Sequence, residues 1–560
     1  MPHHPHSHLL AALGLATLAL TVSACDPGSV EGDASAPSDG APARDARVDD
    51  GGATTPSDAG PGGDAATPDA ATRDAGPRDA GPPRPLPEAG DPSFDHVTNA
   101  ALDGVCETGN PFGFTLADWN YDGYPDLQSW SHGRESHCMW TSDGDGTFTV
   151  DPDWTAETAP FFTGGWNVQA GDLDGDGDVD ALGRTTEGHD GWIENTTPTM
   201  GGDPSAVFHR GPWGHRSTFT VADFDGDGDL EIGDAGPTIY RLDGSVQTTL
   251  GSERSAIVFD WNGDSYPDVV MPGGPSWTND GDGSFSPASA GPAFTDCQPG
   301  GSLLFDADLD GDIDVLCYTG DDDLWIVVNE GGGAFRRHDL STRFNVVNTV
   351  ATKASHSVAD YNNDGYVDVL IMGRSSSSTN LLLNRGGLVF ERADNDVTFD
   401  TDLGGDHYSA RPTTAPHDYD LDGRVDFVGY ELRDDVPAAN LMLWRNTTPA
   451  AGGFVQVVLT AEAMGNGGNR DAIGAIVEAL VPGTETRVGS DYRTLRSYQQ
   501  GMPTLAHVGT DTQAVVDLRV TWPSGHGVEV FPGVRADGRY IIRYASSGSR
   551  IEPWAPGSGY

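Results

Sequence analysis

One nine-residue phrase, D-x-[DN]-x-D-G-x-x-D, returns seven times along the chain, and its spacing limits the fold more than any other feature. It begins at Asp118 (DWNYDGYPD), Asp172 (DLDGDGDVD), Asp223 (DFDGDGDLE), Asp260 (DWNGDSYPD), Asp306 (DADLDGDID), Asp360 (DYNNDGYVD) and Asp418 (DYDLDGRVD). Successive copies lie 37 to 58 residues apart. Each sits between short apolar runs, such as residues 255–259 (SAIVF) before the fourth copy and 369–372 (VLIM) after the sixth. A repeat of this length is one supersecondary unit, and several must stack to bury a core.

The phrase suits a hard divalent cation. Ca²⁺ takes six to eight oxygens, and side chains at positions 1, 3 and 5 of a tight turn can converge on one point. Position 6, usually Gly, supplies the positive φ of the reversal. The carbonyl of position 7 can turn inward, and the carboxylate at position 9 closes the shell. The expected ligands are Asp118, Asn120, Asp122, Tyr124 and Asp126 in the first loop, and Asp172, Asp174, Asp176, Asp178 and Asp180 in the second. They are Asp223, Asp225, Asp227, Asp229 and Glu231 in the third, and Asp260, Asn262, Asp264, Tyr266 and Asp268 in the fourth. The fifth has Asp306, Asp308, Asp310, Asp312 and Asp314; the sixth has Asp360, Asn362, Asp364, Tyr366 and Asp368; the seventh has Asp418, Asp420, Asp422, Arg424 and Asp426. Up to seven structural calcium ions are therefore expected. The fourth loop is the weakest, with Ser265 in place of Gly, and the third ends in the longer Glu231.

Acidic turns without metal are the competing reading, since Asp, Asn and Gly form turns anyway; seven copies at domain-like intervals weigh against it. An EF-hand needs a bidentate Glu at position 12. Here that position holds Ser129, Gly183, Asp234, Met271, Cys317, Ile371 and Gly429, so the EF-hand is excluded.

A second phrase falls between the loops: a strand, an Asn/Asp/Gly turn, then Gly-x-Phe. Residues 143–148 (DGDGTF) and 280–285 (DGDGSF) carry it, with looser copies at 331–335 and 386–390. Two hairpins per repeat make a four-stranded unit, the size of a propeller blade. On these motifs the chain resembles the FG-GAP/VCBS-repeat proteins over residues 93–449. The resemblance implies an all-β, seven-bladed propeller with integrin-like calcium loops between the first two strands of each blade. Seven loops need seven outer strands, and residues 93–97 (SFDHV) are expected to complete the last blade and close the ring.

Residues 450–545 lack the loop. The phrases at 469–475 (NRDAIGA) and 521–525 (TWPSG), with alternating apolar runs such as 515–520, resemble the ASPIC/UnbV domain and imply a small β-domain followed by a tail at 546–560. Residues 491–495 (DYRTL) stand where that family usually has a Gly-rich phrase. Trp522 and Pro523 read as a buried strand end.

The remaining segments speak to location. Residues 9–22 form an apolar run too short to span a bilayer, which needs about 20 residues. The run leads into Ala24 and Cys25, resembling a lipoprotein signal over 1–24 with Cys25 acylated; ordinary secretory cleavage near Ala24 is the alternative. Residues 25–92 are built from Asp, Ala, Gly, Pro, Ser and Thr, a composition that forms no core and reads as a disordered tether. Its mean reach would be about 45 Å, or about 200 Å fully extended. Cys106, Cys138, Cys297 and Cys317 suggest disulfides in an oxidising compartment, with local pairing 106–138 and 297–317 favoured among three possibilities. An extracytoplasmic place in a bacterial envelope follows, lipid-anchored or secreted.

Eighty-five acidic residues against 31 basic ones give a formal net charge of −54. That balance disfavours nucleic acid and anionic membrane surfaces, so membrane contact is expected through the lipid anchor alone. No G-x-S-x-G elbow, HExxH or P-loop occurs. His132, Glu135 and His137 cluster in sequence but read as a polar loop, and Tyr124, Tyr266 and Tyr366 as packing residues. The reading is a non-catalytic binding or adhesion scaffold for a glycan or extracellular protein, with a propeller-based polysaccharide hydrolase or lyase as the alternative.

Overall fold

The structure, a computed structural model, describes residues 92–556 apart from 98–101, 104–110, 132–137, 156–168, 185–189, 198–203, 214–219, 235–237, 252–255, 300–301, 320–322, 341–355, 372–379, 394–414, 431–440, 450, 462–463, 466–468 and 497–504. The expected signal, the tether, Cys25, Cys106 and the His132–Glu135–His137 group all lie outside the described residues. No helix among the described residues is long and apolar enough to cross a membrane.

The fold is all-β. Seven antiparallel sheets of four strands follow one another, each built on one copy of the repeated phrase. Their first strands are Pro111–Ala117, Gln169–Gly171, Thr220–Ala222, Ile257–Phe259, Leu303–Phe305, His356–Ala359 and Ala415–His417. Each phrase turns the chain back, and its ninth residue opens the second strand, at Asp126, Asp180, Glu231, Asp268, Asp314, Asp368 and Asp426. The second phrase forms the hairpin between third and fourth strands, as between Ser276–Asn279 and Phe285–Ala288.

Adjacent blades share apolar clusters, which is where each repeat finds its core. Trp119 and Ile193 join blades 1 and 2, Val221 and Trp192 blades 2 and 3, and Phe224 and Val258 blades 3 and 4. The series continues through Trp261 with Trp325, Phe305 with Val369, and Tyr361 with Phe427. It ends where Tyr419 and Leu443 of blade 7 meet Leu116 and Trp140 of blade 1, so the seven sheets form a closed ring.

Closure comes from the far end of the chain. Phe94–His96 pairs antiparallel with Leu441–Asn446, with Phe94 opposite Asn446 and His96 opposite Trp444, and supplies the missing outer strand of blade 7. Phe94 is buried between Tyr361 and Phe427, at ring distances of 5.8 and 5.1 Å. Two blades carry an unexpected fifth strand. Leu102–Asp103 runs parallel to Phe148–Val150 of blade 1. Leu495–Arg496 comes from the C-terminal domain and pairs with Thr220–Ala222, the innermost strand of blade 3.

That C-terminal domain is a sandwich of two four-stranded sheets. One orders Leu505–Asp511, Gly453–Thr460, Gly538–Arg543 and Arg550–Pro553; the other Arg487–Tyr492, Ile476–Leu480, Val515–Trp522 and Gly527–Arg535. Val455, Val457, Val477, Leu518, Trp522 and Ile542 fill the space between them. Trp522 is fully buried, as its sequence context suggests. The segment beyond 545, expected to be a tail, instead adds a strand at Arg550–Pro553 and buries Trp554 against Ile541. Cys297 and Cys317 form a disulfide, with 5.1 Å between Cα atoms. Cys138 is disulfide-bonded as well, and its expected partner Cys106 lies outside the described residues.

Candidate metal centres

The seven loops share one backbone design. In every one, a side-chain oxygen of position 1 accepts the N–H of position 6, as Asp118 Oδ2 does from Gly123 at 2.8 Å and Asp418 Oδ2 from Gly423 at 2.7 Å. Position 5 accepts the N–H of position 7, through Asp122, Asp176, Asp227, Asp264, Asp310, Asp364 and Asp422. Position 6 is left-handed throughout; Ser265 adopts φ 74° where the other loops have Gly, so the fourth loop keeps its shape at a cost in strain. Position 4 is left-handed too, even at Leu309 and Leu421.

Position 9 is buried and does two tasks at once. One oxygen accepts the N–H of position 2, as Asp126 Oδ2 does from Trp119 and Glu231 Oε2 from Phe224. In six blades the other oxygen accepts from the end of the third strand, as Asp314 Oδ1 does from Asn329 at 2.7 Å. In five blades that third-strand residue is an Asn whose amide reaches the preceding blade. Asn195, Asn279, Asn329, Asn384 and Asn446 donate to the position 2 carbonyls of Trp119, Phe224, Trp261, Ala307 and Tyr361. The blades are thus latched loop to loop.

In four loops the carboxylates of positions 1, 3 and 9 bring one oxygen each within 4.8 Å of the others: Asp172 with Asp174 and Asp180, Asp223 with Asp225 and Glu231, Asp306 with Asp308 and Asp314, and Asp418 with Asp420 and Asp426. Glu231 therefore reaches the cluster despite its extra methylene. The other three loops have Asn120, Asn262 or Asn362 at position 3, an amide oxygen in place of a carboxylate.

The donor set fits a hard cation and little else. Burial first, then neighbouring carboxylates, push Asp172 up to about 8 and Glu231 up to about 8, and hold Asp314 and Asp426 well above the ordinary range. Asp306 Oδ1, Asp308 Oδ1 and Asp178 Oδ1 are buried with no hydrogen-bond partner. A divalent ion would supply the positive charge and the bonds these oxygens lack.

The position 7 side chains do other work. The Tyr124, Tyr266 and Tyr366 rings pack on Gly144, Gly281 and Gly386, the left-handed glycines of the second hairpin, where a Cβ would strike the ring. Arg424 Nε donates to the carbonyl of Asn446 at 2.7 Å.

The loops do not face open solvent alone; the sandwich seats on them. Ser524 Oγ donates to Asp223 Oδ2 at 2.7 Å and Gln456 Nε2 to Asp418 Oδ2 at 2.8 Å. Ser490 Oγ reaches Asp306 Oδ2 at 3.4 Å, and the N–H of Asp172 donates to Asp471 Oδ2 at 3.2 Å. The backbone joins in: Asn469 N–H donates to the carbonyl of Gly228, Ser524 N–H to that of Ser265, and Asp511 N–H to that of Asn363. Gly509 lies so close to loop 6 that a Cβ would stand 1.8 Å from Asp360 Oδ2.

Two family models match the chain. Residues 306–371 match the FG-GAP-like repeat, and residues 465–549 match ASPIC and UnbV. No curated protein matches by sequence. Among solved structures, similarity extends to an Agrocybe aegerita lectin described as recognising non-reducing terminal N-acetylglucosamine, with 19% identity, 57% of this chain and 94% of that chain covered, and a TM-score of 0.38. It extends also to YCF48 bound to a D1 peptide (13% identity, 66% and 100% covered, TM-score 0.34). AofleA from Arthrobotrys oligospora follows (11% identity, 64% and 88% covered, TM-score 0.31).

Proposed function

We propose that this chain, an FG-GAP-like repeat propeller carrying a C-terminal ASPIC/UnbV domain, is a calcium-dependent extracytoplasmic binding scaffold rather than an enzyme. The observation that carries the reading is the double use of the lead carboxylates. Asp223, Asp306 and Asp418 each belong to a three-carboxylate cluster and each accept a hydrogen bond from the sandwich. Calcium in those loops would neutralise the acids on which the second domain rests, so metal, loop shape and domain seating act together. The ions would then be structural.

The Cys297–Cys317 disulfide fits an oxidising compartment. Residues 25–92 would hold the head away from a membrane carrying the lipid on Cys25, and the residual acidity favours a neutral or basic glycan or protein partner.

The test is elemental analysis of the protein dialysed against millimolar Ca²⁺, followed by incubation with a polysaccharide panel. Several ions per chain and retention of a polysaccharide without cleavage support the scaffold. A chain without bound calcium, or release of reducing or unsaturated ends, overturns it.

A further inference from the structure

A cavity of about 130 Å³ lies between the sandwich and the first strands of blades 5, 6 and 7. The cavity is partly open, so a ligand can extend beyond the enclosed space. Its propeller wall includes Leu303, His356, Val358 and His417, and its sandwich wall Asp491, Arg493 and Leu505. The Arg493 segment enters here because Leu495–Arg496, just beyond it, is paired into blade 3.

The polar atoms in this cavity are unusual. Arg493 is 3% exposed, and its Nε and Nη2 have no hydrogen-bond partner. His356 and His417 are 4% and 7% exposed; neither ring nitrogen of His356 has a partner, nor does Nε2 of His417. By contrast His507, on the sandwich wall, is engaged by Gln456 through Nδ1 and by Asn363 through Nε2. The ring of His356 is held by stacking on Tyr318 at 5.4 Å.

The two open nitrogens of Arg493 lie along one edge of the guanidinium, the edge that takes both oxygens of a carboxylate side-on. Asp491 and Asp471 stand close enough to lend Arg493 their charge, but neither is a hydrogen-bond partner of its Nε or Nη2. Asp491 Oδ2 accepts the N–H of His507, and Asp471 Oδ2 that of Asp172. Asp306, Asp360 and Asp418 on the cavity wall each turn Oδ2 to the position 6 N–H of their own loop. The imidazole nitrogens can exchange hydrogen bonds with hydroxyls, and Leu303, Val358 and Leu505 offer apolar surface to C–H groups.

We propose that this axial cavity binds a small sugar acid, with its carboxylate held side-on by Arg493 and its hydroxyls by His356 and His417. The site rests on the scaffold reading in one respect: calcium-filled loops keep the sandwich seated over the cavity.

The full chain, saturated with calcium, is titrated calorimetrically with D-galacturonate and D-glucuronate, and in parallel with galactose, glucose and inorganic phosphate. Saturable one-to-one binding of a uronate is expected, with the neutral sugars and phosphate silent. Arg493→Lys keeps the charge but loses the fork, and should weaken binding roughly tenfold or more, the loss of one charge-assisted hydrogen bond. His356→Phe keeps the ring and should also weaken binding, which preserves the test if the arginine variant fails to fold. The calcium-dependent melting shift, read on the same samples, reports the scaffold separately. No uronate binding in a sample whose melting still responds to calcium overturns the site and spares the scaffold. Neutral sugars or phosphate binding as tightly as the uronates, or unchanged affinity in a folded Arg493→Lys or His356→Phe variant, overturns it as well.

Discussion

The side-chain amide of Asn446 donates to the carbonyl of Tyr361 across 2.8 Å, tying blade 7 to the acidic loop of blade 6. The same Asn receives nothing from chance: its N–H is held by Asp426 Oδ1 at 2.7 Å, so a position 9 carboxylate aims the latch. Replacing Asn446 or Asn384 by Ala leaves a buried carbonyl without its donor, a loss of about 1–3 kcal/mol. Both variants should melt below the parent. Asn195→Ala should lose a comparable amount, because its long 3.4 Å bond to Trp119 is backed by a 2.9 Å bond to the Tyr121 hydroxyl.

Calcium should leave the protein in two classes. Affinity of oxygen sites rises with ligand charge, and loops 2, 3, 5 and 7 bring three carboxylates together. Loops 1, 4 and 6 have Asn at position 3. Stepwise chelation followed by elemental analysis should strip the Asn loops first. Asp308→Ala should remove one ion from the tight class, and the melting temperature should fall with it. Each filled site stabilises by about 2.7 kcal/mol at a hundredfold excess over its dissociation constant.

Ring closure depends on a short strand. Deleting residues 93–97 exposes the edge of Leu441–Asn446 and removes Phe94 from between Tyr361 and Phe427. Phe94→Ala alone should cost about 3–5 kcal/mol. Differential scanning calorimetry should show both changes, the deletion being the larger.

The sandwich carries its own acid sensitivity. Glu478 is almost fully buried; burial alone would raise its pKa, but Arg519 and Arg487 outweigh that and lower it. A carboxylate with a depressed folded pKa stabilises above its unfolded value and loses that contribution as pH falls through the folded value. Glu478→Gln should therefore destabilise at neutral pH by about 3–5 kcal/mol, because part-buried Arg487 loses its carboxylate and Arg519 keeps only the exposed Glu485. The gap between the variant and the parent should narrow in acid, as followed by melting across pH.

Gly509→Ala tests the seating of the sandwich. The added methyl would meet Asp360 Oδ2 on the propeller, while Gly509 itself is not in the left-handed region, so backbone strain does not confuse the result. Faster limited proteolysis between the domains is the expected outcome.

Much of this was legible because it is local. The loops, their left-handed position 6 and the four-stranded repeat follow from residues within a nine-residue phrase, and residues 93–97 read as a strand without a partner in their own repeat. The left-handed backbone at Leu309 and Leu421 was not legible, since the surrounding side-chain-to-backbone bonds impose it against the residue's preference. Nor was the latching Asn, which looks like any turn former until its partner in the preceding blade is known. The seating of Ser524 and Gln456 on loop carboxylates joins positions 301 and 38 residues apart, and no periodicity records it. Arg493 lay in a phrase that departs from its family, and only the fold shows that it enters the ring's axis.

The bond from Ser93 N–H to Thr448 Oγ1 spans 355 positions of chain. At a synthesis rate of about 5–20 residues per second, the opening strand waits roughly 20–70 seconds before its mate emerges. Throughout that interval residues 94–96 and the edge of Leu441–Asn446 cannot satisfy each other, so the nascent ring is an open arc with an unpaired edge at one end. Folding is gated by completion of the polypeptide, and a chain truncated anywhere before residue 441 has no way to finish its circle.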